Sequence, residues 1–251
     1  MSRIIKSSAL LISIIAIWWI ASYNTSPIFI PKPNQVLNVF WETLKSGRLL
    51  IALRYSFLRI TIATLISAAI AIPIGVILFN IKMVKDFVYP IISALRYIPV
   101  TAFYPLLIMW FGIDELMKIT FLFIATFVYM MPSVMLALDE VNQDLIDTGL
   151  TIGMSRTQTI TKIQLPATMP SLMNSFIMMY GIGWTYIAVA ETVNAKFGLG
   201  WIIQQSSSRG RTDLVFMAII TIVIVSVVFD TLSKTLVKNI FKWRYLNDCS
   251  E

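Results

Sequence analysis

Six apolar runs, each near the length that crosses a bilayer, dominate the chain and narrow its fold more than any other feature. An α-helix rises about 1.5 Å per residue, so about 20 apolar residues cover the roughly 30 Å of bilayer hydrocarbon. The runs lie over 7–23, 56–80, 90–111, 118–138, 168–191 and 213–237. Only 13% of residues are charged and 57% are apolar, against about 25% charged in soluble domains. The expectation is an all-α integral membrane protein of six transmembrane helices, packed as one domain over 1–251. No composition shift suggests a linker.

The first run, Ser7–Tyr23, follows Arg3 and Lys6 and is short. It reads as a span rather than a signal peptide. No small-x-small cleavage pattern stands out, and Trp18-Trp19 would be unusual in a signal core. After the extended stretch Pro27–Pro33, Asn34 is placed to cap an amphipathic helix to about Lys45, closed by Gly47. Arg96, Pro99 and Pro105 interrupt the third run, and Pro132 sits inside the fourth. Kinked helices around a cavity are one reading, and packing kinks are the other.

Several chemistries are excluded. The chain has no His, which removes the usual zinc, haem and general-base options. A single cysteine, Cys249, forbids an internal disulfide. No glycine pair has P-loop spacing, so no ATP binding of that kind is expected. Neither catalysis, a cofactor nor a metal is expected of this chain. The net charge of +7 is scattered between apolar runs, which suits membrane flanks rather than nucleic acid. The basic ends, Arg3/Lys6 and Lys234–Arg244, favour a cytoplasmic N- and C-terminus. That topology puts residues 139–166 in the cytosol.

This segment is the long polar-to-mixed span of the second half. Residues Val141 to Ile152 read as a helix, with Gly153 as its left-handed stop. Ser155 then caps a second helix, Gln158 completes a capping box, and Pro166 is expected to end it. Thr148-Gly149 reads as a small-residue patch open to another surface. The plainer reading is a hairpin that merely joins two spans.

The full spacing, Asp147-Thr148-Gly149, three residues, Gly153, nine residues, Ile163, one residue, Leu165-Pro166, resembles the Glu-Ala-Ala-x3-Gly-x9-Ile-x-Leu-Pro signature of ABC importer permeases. Asp replaces Glu, and Thr-Gly replaces Ala-Ala. Ser56-Phe57-Leu58-Arg59, Leu95 to Pro99, Tyr104 to Ile113, Glu191 with Gly198-Leu199-Gly200, and Trp243 after basic residues look like the nitrate/sulfonate/taurine branch. The resemblance implies a permease of the bacterial inner membrane. It implies partners: cytoplasmic ABC ATPase subunits, a periplasmic or lipid-anchored substrate-binding protein, and a second permease copy. It also implies that the helix before Gly153 docks on the ATPase, which assigns Asp147, Thr148, Gly149, Ile152, Gly153, Arg156, Ile163, Leu165 and Pro166 to coupling.

Candidates for the translocation pathway are Arg96, Tyr97, Pro99, Trp184 and Glu191. Each has a plainer alternative. Arg96 lies five residues past Ile91 and can snorkel to the interface. Glu191 can be a solvated helix end. Trp184, with Gly181 and Gly183, can serve helix packing. Gly198 and Gly200 read as an outer-loop turn. Arg209 and Arg211 are either solvated or attract an anionic solute or partner. The competing function, a secondary carrier or channel, would use intramembrane acids for ion coupling, and the runs contain almost none and show no inverted repeat.

Overall fold

The structure, a computed structural model, describes the backbone of residues 2–245 and the side chains of 9–10 and 12–244. Cys249 and the side chains of Arg3 and Lys6 lie outside the described residues. The described chain is helical: α1 (Ser2–Tyr23), α2 (Pro33–Lys45), α3 (Arg48–Asn80), α4 (Lys82–Leu95), α5 (Tyr104–Phe111), α6 (Glu115–Asp139), α7 (Gln143–Thr151), α8 (Arg156–Thr159), α9 (Leu165–Ala190), α10 (Leu199–Ser207), α11 (Thr212–Ile240) and α12 (Lys242–Tyr245). Among the described residues, α3, α6, α11 and the continuous stretch Arg156–Ala190 are long and apolar enough to cross a membrane. The pair α4 and α5, bent by 79° at its break, makes a fifth candidate.

The bend falls within the third run, at the residues that interrupt it. Arg96 closes α4, Pro99 leads a short 3₁₀ turn over Val100–Phe103, and Pro105 sits in the first turn of α5. A proline disfavours helical geometry in the residue before it and lacks an N–H, so Pro99 forces a break rather than a kink. Pro105 falls where its missing N–H costs nothing. Pro73, Pro132 and Pro170, by contrast, lie inside continuous helices.

The cap of α2 also differs from expectation. The helix begins at Pro33, not after Asn34, because Pro33 has the fixed φ that suits a first helical residue. Gln35 Oε1 accepts from the Lys32 N–H at 3.1 Å and closes the entry. Gly47 does end this region, with φ +74°.

The helices gather into two compact units, residues 1–58 with 187–225, and residues 59–186 with 226–251. In the second unit, Ala68 and Ala71 of α3, Met131, Val134 and Met135 of α6, and Leu172 and Met179 of α9 form a buried core. Small residues set the helix spacing. A Cβ on Gly75 would lie 2.6 Å from Val134 Cγ1, and one on Gly183 would lie 2.7 Å from Ile60 Cγ2. This matches the packing reading of Gly183. Ser67 and Thr126 hydroxyls meet at 2.6 Å, and Thr61 and Tyr180 hydroxyls at 2.9 Å, so polar groups between helices satisfy each other. In the first unit, Trp18 stacks on Phe216 and donates its indole N–H to the Pro31 carbonyl at 3.1 Å. Thr212 donates to the Pro27 carbonyl at 3.0 Å, tying the Pro-rich stretch down.

Candidate functional site

The segment from Asp139 to Pro166 is built as local chemistry dictates, with two exceptions. Asn142 accepts from the Asp144 N–H at 2.9 Å and starts α7. The helix ends in a Schellman closure: Met154 N–H donates to the Gly149 carbonyl at 3.1 Å and Gly153 N–H to the Leu150 carbonyl at 3.0 Å. Gly153 takes φ +87°, with open space where a side chain would sit. Ser155 accepts from the Gln158 N–H at 3.3 Å while Gln158 Oε1 accepts from the Ser155 N–H at 2.9 Å, the expected capping box.

The first exception concerns Gly149. It is buried, and a Cβ there would lie 2.5 Å from Ile163 Cδ1. Thr148 is exposed and points elsewhere, so the two do not form one small-residue patch. The small residue is needed inside the segment, where Ile163 of the following helix rests on α7. Gly149 and Ile163 of that spacing thus meet inside the segment. What α7 presents outward is a shallow hollow formed by Asp144, Asp147, Thr148, Thr151 and Ile152. Ile152 is 73% exposed, and Arg156 is exposed just past the turn.

The second exception is Pro166, which does not end a helix. Ile160–Gln164 is a π turn, with the Leu165 N–H donating to the Ile160 carbonyl, and helix runs on through Leu165 and Pro166 to Ala190. An α-helix would clash with the proline ring one turn upstream and leave a carbonyl unmatched. The wider turn takes up the extra residue instead. The start of the segment is anchored as well. Asp139 pairs with Lys85 at 2.6 Å, and Glu140 accepts from Ser171 at 3.1 Å and meets Arg244 at 3.5 Å.

The pathway candidates divide. Arg96 and Tyr97 are exposed at the α4 break, with Pro99 beside them. Arg96 Nε donates to the Ser93 carbonyl at 2.9 Å, which leaves much of its guanidinium outward. Trp184 is buried at 2% exposure, and its indole N–H finds no acceptor among the described residues. Glu191 overturns the solvated helix-end reading: it is fully buried. Ser56 Oγ–H donates to its carboxylate at 2.9 Å, and Gly200 N–H donates to Oε2 at 2.8 Å. Ser56 Oγ in turn accepts from the Leu199 N–H at 2.9 Å. A Cβ on Gly198, whose φ is +140°, would collide with that carboxylate. The turn at Gly198 and Gly200 therefore exists to wrap a buried acid.

Sequence reasoning missed an ionic site in which two buried cations hold a largely exposed acid, Glu115. Arg59 is 3% exposed and holds Glu115 through two 2.6 Å bonds, Nε to Oε2 and Nη2 to Oε1. Lys118, 1% exposed, adds its ammonium 3.5 Å from Glu115 Oε1 and 3.3 Å from the Ile113 carbonyl. A bidentate Arg–carboxylate is the geometry that makes a buried charge tolerable. The available signal was an Arg at the edge of an apolar run, which demands an acid.

Comparison with known proteins places this architecture. The family model for the binding-protein-dependent transport system inner membrane component matches residues 69–242. The chain belongs to that family: it is a multi-pass inner-membrane ABC-transporter permease. It is 28% identical over 237 residues to the taurine transport system permease protein TauC of Escherichia coli, covering 92% of this chain and 86% of the relative. It is 28% identical over 233 residues to the putative aliphatic sulfonates transport permease protein SsuC of Bacillus subtilis, covering 92% and 84%. The riboflavin transport system permease protein RibX of Chloroflexus aurantiacus is 27% identical, with 92% and 87% covered. In fold, it superposes on a chain of the inward-facing MetNI methionine ABC transporter with a TM-score of 0.68, at 20% identity and covering 79% of this chain and 98% of that one.

Proposed function

We propose that this permease works in an ATP-driven importer in which two copies of the chain, two cytoplasmic ATPase subunits and a substrate-binding protein cooperate. Residues 1–251 form one permease domain of six spans, with both termini and the segment 139–166 in the cytosol. The observation that carries this reading is the α7 unit: a short helix with an outward hollow, stopped by a Schellman turn and backed by Ile163. Such a unit offers a rigid knob at little cost in ordering on binding. Asp147, Thr148, Ile152 and Arg156 meet the ATPase. Gly149, Gly153, Ile163, Leu165 and Pro166 hold them in place.

ATP binding draws the ATPases together and moves α7. The movement passes through residues 156–186 and opens the pathway toward the binding protein, and hydrolysis resets it. Arg96, Tyr97 and Pro99 border the pathway, while Trp184 and Glu191 act through packing. The similarity to taurine and sulfonate permeases points to a small organic anion as solute.

The test is cysteine crosslinking in a chain whose Cys249 has been replaced. Single cysteines at Thr148, Ile152 and Arg156 should link to the ATPase, and those at Asn24 and Gln204 should not. Equal labelling of both sets by an impermeant outside reagent would overturn the topology and the docking site together. Gly153→Asp should abolish uptake without removing the protein from the membrane. The purified chain, freed of its partners, should show no saturable ATP binding.

A further inference from the structure

Two hollows in the first unit share the same pair of helices. One is a recess of about 420 Å³ at the start of α3 and the end of α10. Its rim carries Arg48 and Arg209, with Thr43, Gln205 and Trp201 beside them, and no acidic residue lines it. Among the described residues neither arginine side chain has a hydrogen-bond or ion-pair partner. Their neighbour Arg211 differs: it is held by Asp213 at 2.7 Å, which raises its guanidinium above the ordinary value. The first turn of α3 contributes Arg48, so the positive end of a 33-residue helix adds to the same sign, and the shorter α10 offsets only part of it. The other hollow, about 430 Å³, is almost wholly apolar, lined by Trp18, Leu37, Phe40, Met217, Ile220 and Ile224 among others.

The two hollows follow in order. Thr43 of α2 and Leu214 of α11 line the basic recess. Leu37 and Phe40 of α2, and Met217 to Ile224 of α11, line the apolar one. From Leu214 to Ile224 is roughly 15 Å of helix, the depth of one leaflet's hydrocarbon. A cationic recess at the head of an apolar groove one leaflet deep has the shape and polarity of an anionic phospholipid. We propose that this unit binds one anionic glycerophospholipid, its phosphate between Arg48 and Arg209 and an acyl chain along α2 and α11. A soluble oxyanion shares the headgroup chemistry but has no use for the groove.

The experiment is native mass spectrometry of the permease purified in its full transporter complex, with phosphatidylglycerol and phosphatidylcholine added at equal concentration. Phosphatidylglycerol adducts should persist at activation that strips phosphatidylcholine. Arg48→Gln with Arg209→Gln should weaken phosphatidylglycerol retention roughly thirtyfold, since each arginine near an anionic headgroup contributes a comparable share. Arg54→Gln, exposed outside the recess, should leave retention unchanged. Ile220→Trp, which fills the groove and keeps both charges, should also lower it, and unchanged phosphatidylcholine adducts would show that the variants fold. Equal retention of the two lipids, or an effect of Arg54→Gln as large as that of the double variant, would overturn the proposal. So would displacement of the lipid by low-millimolar inorganic phosphate or methanesulfonate, which would assign the recess to a soluble anion.

Discussion

Gly153 and Gly198 both break helical runs with a positive φ, yet they do so for opposite reasons. Gly153 turns because its own neighbours ask it to. Its hydrogen bonds reach back three to five residues, and nothing lies where its side chain would be. Gly198 turns because a buried carboxylate occupies that space, and the carboxylate is held by Ser56, 135 residues earlier in the chain. One turn is closed by backbone geometry, the other by a distant acid. The same residue type, at positive φ in both, thus signals local helix closure in one place and tertiary packing in the other.

Substitutions sharpen this contrast. The largest effect belongs to the buried acid. Glu191→Ala strips the acceptor from Ser56 and Gly200, and each unsatisfied buried donor costs about 1–3 kcal/mol, so thermal unfolding of the detergent-purified protein should fall most steeply here. Gly198→Ala should behave alike, because the added carbon meets that carboxylate and the backbone is strained as well. Gly149→Val comes next, at about 1–3 kcal/mol, as the branched side chain overpacks against Ile163. Gly149→Ala should stay within about 1 kcal/mol of the parent, because the tip of Ile163 can move and alanine favours the helix. Gly153→Ala should cost only about 1 kcal/mol, the conformational term alone, when followed by the same melting experiment. Ser155→Ala, which removes one exposed cap, should cost at most about 1 kcal/mol and leave α7 intact by hydrogen exchange. If Gly153→Ala destabilises as much as Gly198→Ala, the contrast between local and distant closure fails.

What was legible in the sequence follows the same division. The Gly153 stop, the Ser155–Gln158 capping box and the long apolar helices depend on residues a few positions apart, and each could be read directly. The exposure of Glu191 could not, because its burial depends on Ser56 and Leu199 arriving from elsewhere. Nor could the Arg59–Glu115 pair, since each half looks like an ordinary helix-end charge until they are brought together. Gly149 was misread for a related reason: a small residue announces that something approaches, but not from which side. Pro166 was misread because a proline rule written for α-helices takes no account of a π turn.

That π turn has a mechanical consequence. Helix runs without a loop from Arg156 to Ala190, 35 residues or roughly 52 Å. The stretch Ile160–Gln164 carries one more residue than the α register requires, which makes it a phase-setting washer in an otherwise stiff rod. Removing one residue there would let the rod wind as plain α-helix with its two flanks still nearly in phase, whereas removing one from a plain α stretch of the rod would turn everything before it by about 100°. Only the second deletion would point the face of α7 a quarter-turn or more away from its present direction, with every residue of its surface unchanged.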